Sequence, residues 1–237
     1  MQIFNAYIDG FNLYNGALRS RPHLRWLNLV NLCKALRPDM ELGEIYYFTA
    51  PVKERFPNDD APRRQHTYLR VLENQGIQVV RGQIRKDKGW MRLISTQRPN
   101  VIQPEIPSHF GLTQLALDVS VRAAAPDTPR ANVYKLSEKG SDVNLASFLL
   151  RDAYQGNLSA ALVVTGDSDL VTPVRFAVEA GLDVKVVIPN RFQKVTQLKT
   201  VATQFQELHP ATLDEHQLPN AFITSKGGNI VRPKTWR

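Results

Sequence analysis

Apolar positions along this chain follow two rhythms: short unbroken runs that end at turn residues, and longer segments that repeat at helical spacing. Ile3 to Ile8 is an apolar run closed by Asp9-Gly10, which predicts a buried strand and a turn. Leu29, Val30, Leu32, Cys33 and Leu36 recur at helical spacing before Pro38, predicting a helix over Asn28 to Leu36 with Cys33 on its apolar face. Glu44 to Ala50 reads as a second strand. Pro62 opens a helix running to Gln75, Gly76 falls in its C-terminal cap position, and Ile77 to Val80 is a third strand. Strand, helix, strand in this order predicts a parallel sheet with helices on both faces.

The middle of the chain has a different texture. Arg81 to Ile94 alternates around Asp87-Lys88-Gly89, which reads as a hairpin. Leu115, Leu117, Val119 and Val121 alternate again, between the proline-rich connections Pro99, Pro104 and Pro107 and Pro126 and Pro129. Residues 84–133 are therefore expected to be a β-rich insertion. Regular order resumes with a helix over Asp142 to Tyr154, a strand over Ala160 to Thr165, a helix from Leu170 to Ala180 stopped by Gly181, and a strand over Asp183 to Ile188. Ser225 to Ile230 suggests a hairpin turn in the tail. The organisation expected is one α/β domain over 1–190 that carries the insertion, with 191–237 a basic extension packed on the same domain.

With 237 residues of which 43% are hydrophobic, the chain can bury a core without disulfides. Its single cysteine, Cys33, excludes an internal disulfide and a cysteine-built zinc site, and suits a reducing compartment. No apolar run approaches the roughly 18 residues of a membrane span. The N-terminus meets Asp9 before a leader's hydrophobic region could develop and lacks its basic start. A cytoplasmic protein with no membrane partner is expected.

Thirty basic residues against 22 acidic ones give a net charge of +8, and the excess is concentrated. Arg81, Arg85, Lys86, Lys88, Arg92 and Arg98 crowd around Trp90, and Lys226, Arg232, Lys234 and Arg237 lie in the tail. Glu138, Asp142, Asp152, Asp167 and Asp169 reverse the balance between Ser137 and Asp169. Basic flanks favour a polyanion, whose neutralised phosphates release counterions; clustered carboxylates favour a divalent cation.

The acids also fall where an open parallel sheet binds its ligands, at the carboxyl ends of strands. Asp9 follows the first strand, Asp167 and Asp169 follow the strand from Ala160, and Asp142 opens a helix after Gly140-Ser141, with Ser141 available as its cap. Singly, each acid also suits a cap or a turn. If the strands carrying Asp9 and Asp167 are neighbours, these carboxylates converge, and like charges side by side require compensation that a divalent metal supplies. Asn12 is placed to orient the first carboxylate.

Three blocks carry a resemblance: Ala6-Tyr7-Ile8-Asp9-Gly10-Phe11-Asn12-Leu13-Tyr14, Glu138-Lys139-Gly140-Ser141-Asp142-Val143-Asn144-Leu145-Ala146, and Val163-Val164-Thr165-Gly166-Asp167-Ser168-Asp169-Leu170. Their order and spacing resemble the NYN domain family, a branch of the PIN-like nuclease superfamily with LabA-like bacterial members. The resemblance covers roughly residues 1 to 190 and implies a Rossmann-like sheet whose aspartates bind Mg²⁺ or Mn²⁺ and hydrolyse RNA phosphodiesters. Carried onto this chain it places Asp9, Asp142, Asp167 and Asp169 as catalytic metal ligands with Asn12 beside them. PIN-like nucleases usually carry a further Glu on an early helix; Glu41, Glu44, Glu54 and Glu73 do not align with it, and Glu138 is the substitute. Lys139 and Ser168 are candidates for contacting substrate. Arg85, Lys86, Lys88 and Arg92 with Trp90 would track a backbone and stack a base, as single-strand binders do. By analogy with other PIN-like domains a homodimer is expected, and a toxin role would require a neutralising protein partner.

Rival chemistries fit less well. A haloacid-dehalogenase-type phosphatase needs a second acid where Phe11 stands, and Val171 occupies the place of its late acid. A glycosyltransferase could use Asp167 and Asp169 but would leave Asp9 and Asp142 unexplained. His23, His66, His109, His209 and His216 form no His-Glu-x-x-His pair. The alternative from another class is a catalytically inactive RNA-binding or partner-binding module on the same fold.

Overall fold

The computed structural model describes residues 2–54, 57–92, 121–123, 129–190 and 195–236. The chain forms two compact units, one from Met1–Ile84 and Glu138–Arg237 and one from Arg85–Ser137.

In the larger unit six strands form one sheet: β1 (Ile3–Asp9), β2 (Glu41–Thr49), β3 (Gln78–Arg81), β7 (Ala160–Val164), β8 (Asp183–Ile188) and β9 (Gln204–Glu207). Their order is β3-β2-β1-β7-β8-β9, and every pairing is parallel. The chain runs outward from β1 to β3, then returns to the other side of β1 with β7. This is the doubly wound arrangement, in which the order reverses at a switch point and the crevice opens at the strands' carboxyl ends. Here the switch point lies between β1 and β7.

The sheet is buried on both faces, as an all-parallel sheet requires. Phe4, Ala6 and Ile8 of β1 pack with Leu162 and Val164 against α2 (Leu29–Leu36) and α3 (Ala61–Asn74). Tyr7 packs with Ala161, Val163 and Val186 against α4 (Ser141–Gln155), α5 (Val171–Glu179) and α6 (Thr196–Val201). Asn28 caps α2 by accepting the Asn31 N–H. After α3 and α5 the chain turns at Gly76 and Gly181, which take positive φ angles of 83° and 98°. A short α7 (Pro210–Glu215) and the antiparallel pair β10 (Ala221–Ile223) and β11 (Asn229–Val231) complete this unit. Near the chain's end Trp236 packs between Trp26 and Tyr68, with ring centroids 6.2 and 6.1 Å away. Among the described residues no helix is long and apolar enough to cross a membrane.

The smaller unit is built on a three-stranded sheet of β4 (Gln83–Arg92), β6 (Pro129–Lys139) and β5 (Val121–Ala123), in the order β4-β6-β5. Two local expectations are corrected. The hairpin around Asp87-Lys88-Gly89 is absent: β4 continues straight through those residues, because the alternation on either side keeps one register and β6 supplies a long partner. Ser141 does not cap α4. Gly140, at φ 94°, holds the cap position without a side-chain bond, and the Ser141 hydroxyl donates to Glu138 instead. The strand expected from Leu115 lies outside the described residues up to Val121.

Candidate nuclease-like site

Pairing of Ile8 with Val164 places the ends of β1 and β7 side by side, so Asp9 meets the loop Thr165-Gly166-Asp167 at the switch point. Asp9 is 3% exposed, and three donors hold its carboxylate. The Asn12 backbone N–H donates to Oδ1 at 2.9 Å, Asn12 Nδ2 to Oδ2 at 2.7 Å, and the Thr165 hydroxyl to Oδ2 at 3.0 Å. The first of these makes Asp9 the N-cap of α1 (Gly10–Leu13). Burial pushes the Asp9 carboxyl above its usual range and Asp167 adds to the rise, while the bonds from Asn12 and Thr165 oppose it.

The same small groups shape the loop after β7. Gly166 N–H donates to Asn12 Oδ1 at 3.2 Å, and Asp167 N–H to the Thr165 hydroxyl at 3.1 Å. Asp167 Oδ1 accepts the Asp169 N–H at 3.0 Å, capping a single 3-10 turn over Ser168–Leu170. Ser168 and Asp169 are exposed. Thr165 was not singled out from sequence, because a threonine at a strand end reads as an ordinary β-former.

Asp142, in the first turn of α4, faces the charges of this loop and of Asp9, and Glu138, near the end of β6, adds a carboxylate beside Asp9 and Asp142. Burial, then Asp9, Asp167 and Asp169, push the Asp142 carboxyl up to about 6. Burial pushes Glu138 up to about 7; Asp9 and Asp142 add to the rise, and the Ser141 hydroxyl opposes it. The structure thus brings Asp9, Asn12, Asp142, Asp167 and Asp169 together, with Glu138 as a further carboxylate. Helix α4 is locked to β1 by a buried network: Asp152 accepts from the Tyr7 hydroxyl at 2.6 Å, Asn5 Nδ2 at 3.1 Å and Arg151 Nε at 2.7 Å.

Close packing limits the turn after β1. A Cβ on Gly10 would stand 2.6 Å from the Tyr47 ring and 2.8 Å from the Phe48 carbonyl oxygen, so only glycine fits. Burial, together with the charges of Asp9 and Glu138, raises the Tyr47 hydroxyl's pKa.

The donor set is all oxygen, which suits Mg²⁺ or Mn²⁺ rather than a soft metal. Among the described residues no three His, Cys, Asp or Glu form a ready-made cage. That is compatible with Mg²⁺, which keeps several waters and takes one or two carboxylates plus substrate phosphate. Burial and the neighbouring carboxylates together raise Asp142 and Glu138, and such an ion would offset that crowding of negative charge.

The other sequence candidates lie elsewhere. Lys139 is exposed at the end of β6. Arg85, Lys88 and Trp90 are exposed on β4 in the smaller unit, Trp90 at 41%. Lys86 and Arg92 lie on the same strand.

Residues 113–209 match the NYN domain, a match that contains Glu138, Asp142, Asp167 and Asp169 and points to a nuclease-like function. Asp9 and Asn12 precede it and join it through the β1 to β7 pairing. The chain is 27% identical over 256 aligned positions to the 6-hydroxy-3-succinoylpyridine 3-monooxygenase HspA of Pseudomonas putida, covering 97% of this chain and 74% of that protein. A crystal structure of a protein of unknown function from Vibrio parahaemolyticus superposes with a TM-score of 0.48 at 13% identity, over 92% of this chain and 96% of that one.

Proposed function

We propose that the protein is a metal-dependent ribonuclease that hydrolyses phosphodiester bonds at the acidic cluster between β1 and β7. The observation carrying this reading is the convergence of Asp9, Asp142 and Asp167 at the switch point, where burial first and then neighbouring carboxylates raise the Asp9 and Asp142 carboxyls above their usual range. Asp9, Asp142, Asp167 and Asp169 would hold Mg²⁺ or Mn²⁺, which when bound lowers the pKa of a water and offsets charge on the scissile phosphate.

The chain's own residues supply the rest. Asn12 and Thr165 fix the Asp9 carboxylate, which leaves its orientation independent of substrate. Glu138 Oε1 accepts from Ser141, leaving Oε2 to take a proton near neutral pH. The Asp152 network keeps α4, and Asp142 with it, registered against β1. Arg85, Lys86, Lys88, Trp90 and Arg92, with Lys139 and Ser168, are the proposed contacts to an RNA strand. The domain assignment, 1–190 with the 84–133 insertion and the 191–237 extension, a homodimeric state and a cytoplasmic location stay part of this proposal.

The test is cleavage of end-labelled single-stranded RNA in Mg²⁺ or Mn²⁺, with and without chelator. Cutting that chelator abolishes and metal restores supports the reading. RNA binding that survives chelator with no cutting under any metal supports the inactive binding module. The name of the Pseudomonas relative favours a second reading, oxygenation of a small heteroaromatic compound, in which one oxygen atom enters the substrate and the other leaves as water with two electrons from an added reductant such as a reduced nicotinamide; oxygen consumption by the purified protein that requires both substrate and reductant would support it.

A further inference from the structure

Beside the acidic cluster, within the larger unit, lies a cavity of about 210 Å³ with an aromatic lining. Phe11, Tyr14, Tyr47, Tyr68 and Trp236 contribute its rings, and Arg25 and Arg64 its charges. These residues come from the turn after β1, the loop before α2, the end of β2, α3 and the chain's last turn. Gly10 and Phe11, next to Asp9 in the chain, form part of the wall, so cavity and carboxylates share one turn.

Most polar groups on the lining are already committed. The Tyr68 hydroxyl donates to the Leu27 carbonyl. Gln65 Nε2 donates to the Ala50 carbonyl, and its Oε1 accepts the Val52 N–H. Trp236 is 7% exposed; its indole Nε1–H is buried away from the cavity space and has no hydrogen-bond partner among the described residues.

Size narrows the ligand. Pockets for drug-sized molecules run from about 300 Å³ upward, so this cavity takes one ring system and excludes a dinucleotide. The rings favour a flat π-face. Arg25 lies 5.3 Å over the Tyr14 ring and is anchored by the carbonyls of Leu18 and Arg19, neutral acceptors that leave its positive charge for an anionic substituent.

We propose that this cavity receives one nucleobase of the RNA strand, stacked among Tyr14, Tyr68 and Trp236, with the attached phosphate toward Arg25. The further step, that the seated base sets the cut at the neighbouring phosphate above Asp9, rests on the nuclease reading. The enzyme then prefers particular bases next to the bond it breaks.

The test separates the two claims. AMP, GMP, CMP and UMP are titrated calorimetrically into the full chain in chelator, so that no cleavage enters. Ribose 5-phosphate and nicotinate serve as the arms for phosphate alone and for a free small ring. Val52→Trp fills the cavity and Tyr14→Ala removes an exposed ring; thermal melting checks each fold. At least one nucleotide is expected to bind, ribose 5-phosphate not to bind, and Val52→Trp and Tyr14→Ala each to weaken binding about tenfold or more. No nucleotide binding, equal binding of ribose 5-phosphate, unchanged affinity in the folded pocket variants, or binding of nicotinate alone would each overturn the nucleobase site. Nucleotide binding without RNA cleavage would leave the site standing and remove the nuclease reading instead.

Discussion

Asn12 and Asp9 are joined twice, backbone N–H to Oδ1 at 2.9 Å and side-chain Nδ2 to Oδ2 at 2.7 Å. The amide that holds the carboxylate also accepts from Gly166 N–H at 3.2 Å, so one side chain ties the end of β1 to the loop after β7.

Asn12→Ala should therefore loosen the site without unfolding the protein. Loss of a partner that orients a metal ligand typically costs 10- to 100-fold in metal affinity or activity, and a fall of about that size in kcat/KM for RNA cleavage is expected. Asn12→Asp should do at least as much harm by adding charge beside Asp9. Kinetics alongside thermal melts of both variants check this; full activity in Asn12→Ala would remove Asn12 from the site.

Much of this site was legible in the chain because each acid stands at a boundary that sequence marks well. Asp9 precedes a glycine at the end of an apolar run, and Asp167 and Asp169 follow another such run. Their neighbourhood was not legible, since the pairing of β1 with β7 joins residues about 156 positions apart, as in the Thr165 to Asp9 bond. Asp87-Lys88-Gly89 misled for a related reason: turn-forming residues end a strand only when the partner strand lets the chain reverse, and β6 holds β4 straight. Ser141 has the chemistry of a cap, yet it already stands inside the helix with Gly140 in the cap position, and its hydroxyl donates to Glu138 three residues earlier. The aromatic cavity was hidden because Tyr14, Tyr47, Tyr68 and Trp236 share no local pattern.

Asp152 should prove structural. It is buried at 5% exposure and accepts from Tyr7, Asn5 and Arg151. Asp152→Ala leaves the first two donors unsatisfied in the interior, at about 1–3 kcal/mol each. A loss of about 3 kcal/mol in urea-determined stability is expected. Asp152→Asn, which keeps an acceptor, should cost less.

Metal should act on stability in a pH-dependent way. Glu138 is pushed up to about 7 from 4.5 and Asp142 to about 6 from 3.8. Between the ordinary and raised values the folded state binds more protons than the unfolded one, so stability falls as pH rises through that window. The favourable contribution is fully present below about pH 4 and lost by about pH 7. Mn²⁺ should therefore raise the melting temperature clearly at pH 7.5 and little at pH 5, where protons compete. Melts in Mn²⁺ and in chelator at both values check this; an equal shift at the two pH values would contradict it.

The central claim is that Asp142 and Asp167 act together on RNA at the switch point. Single-turnover cleavage of single-stranded RNA in saturating Mn²⁺ by wild type, Asp142→Asn and Asp167→Asn, with RNA affinity measured in parallel, tests it most directly. The account predicts that each variant stays folded, still binds RNA, and cuts about a thousandfold more slowly or not at all, since each loses several kcal/mol of transition-state stabilisation. Cleavage by either folded variant at the wild-type rate would contradict it.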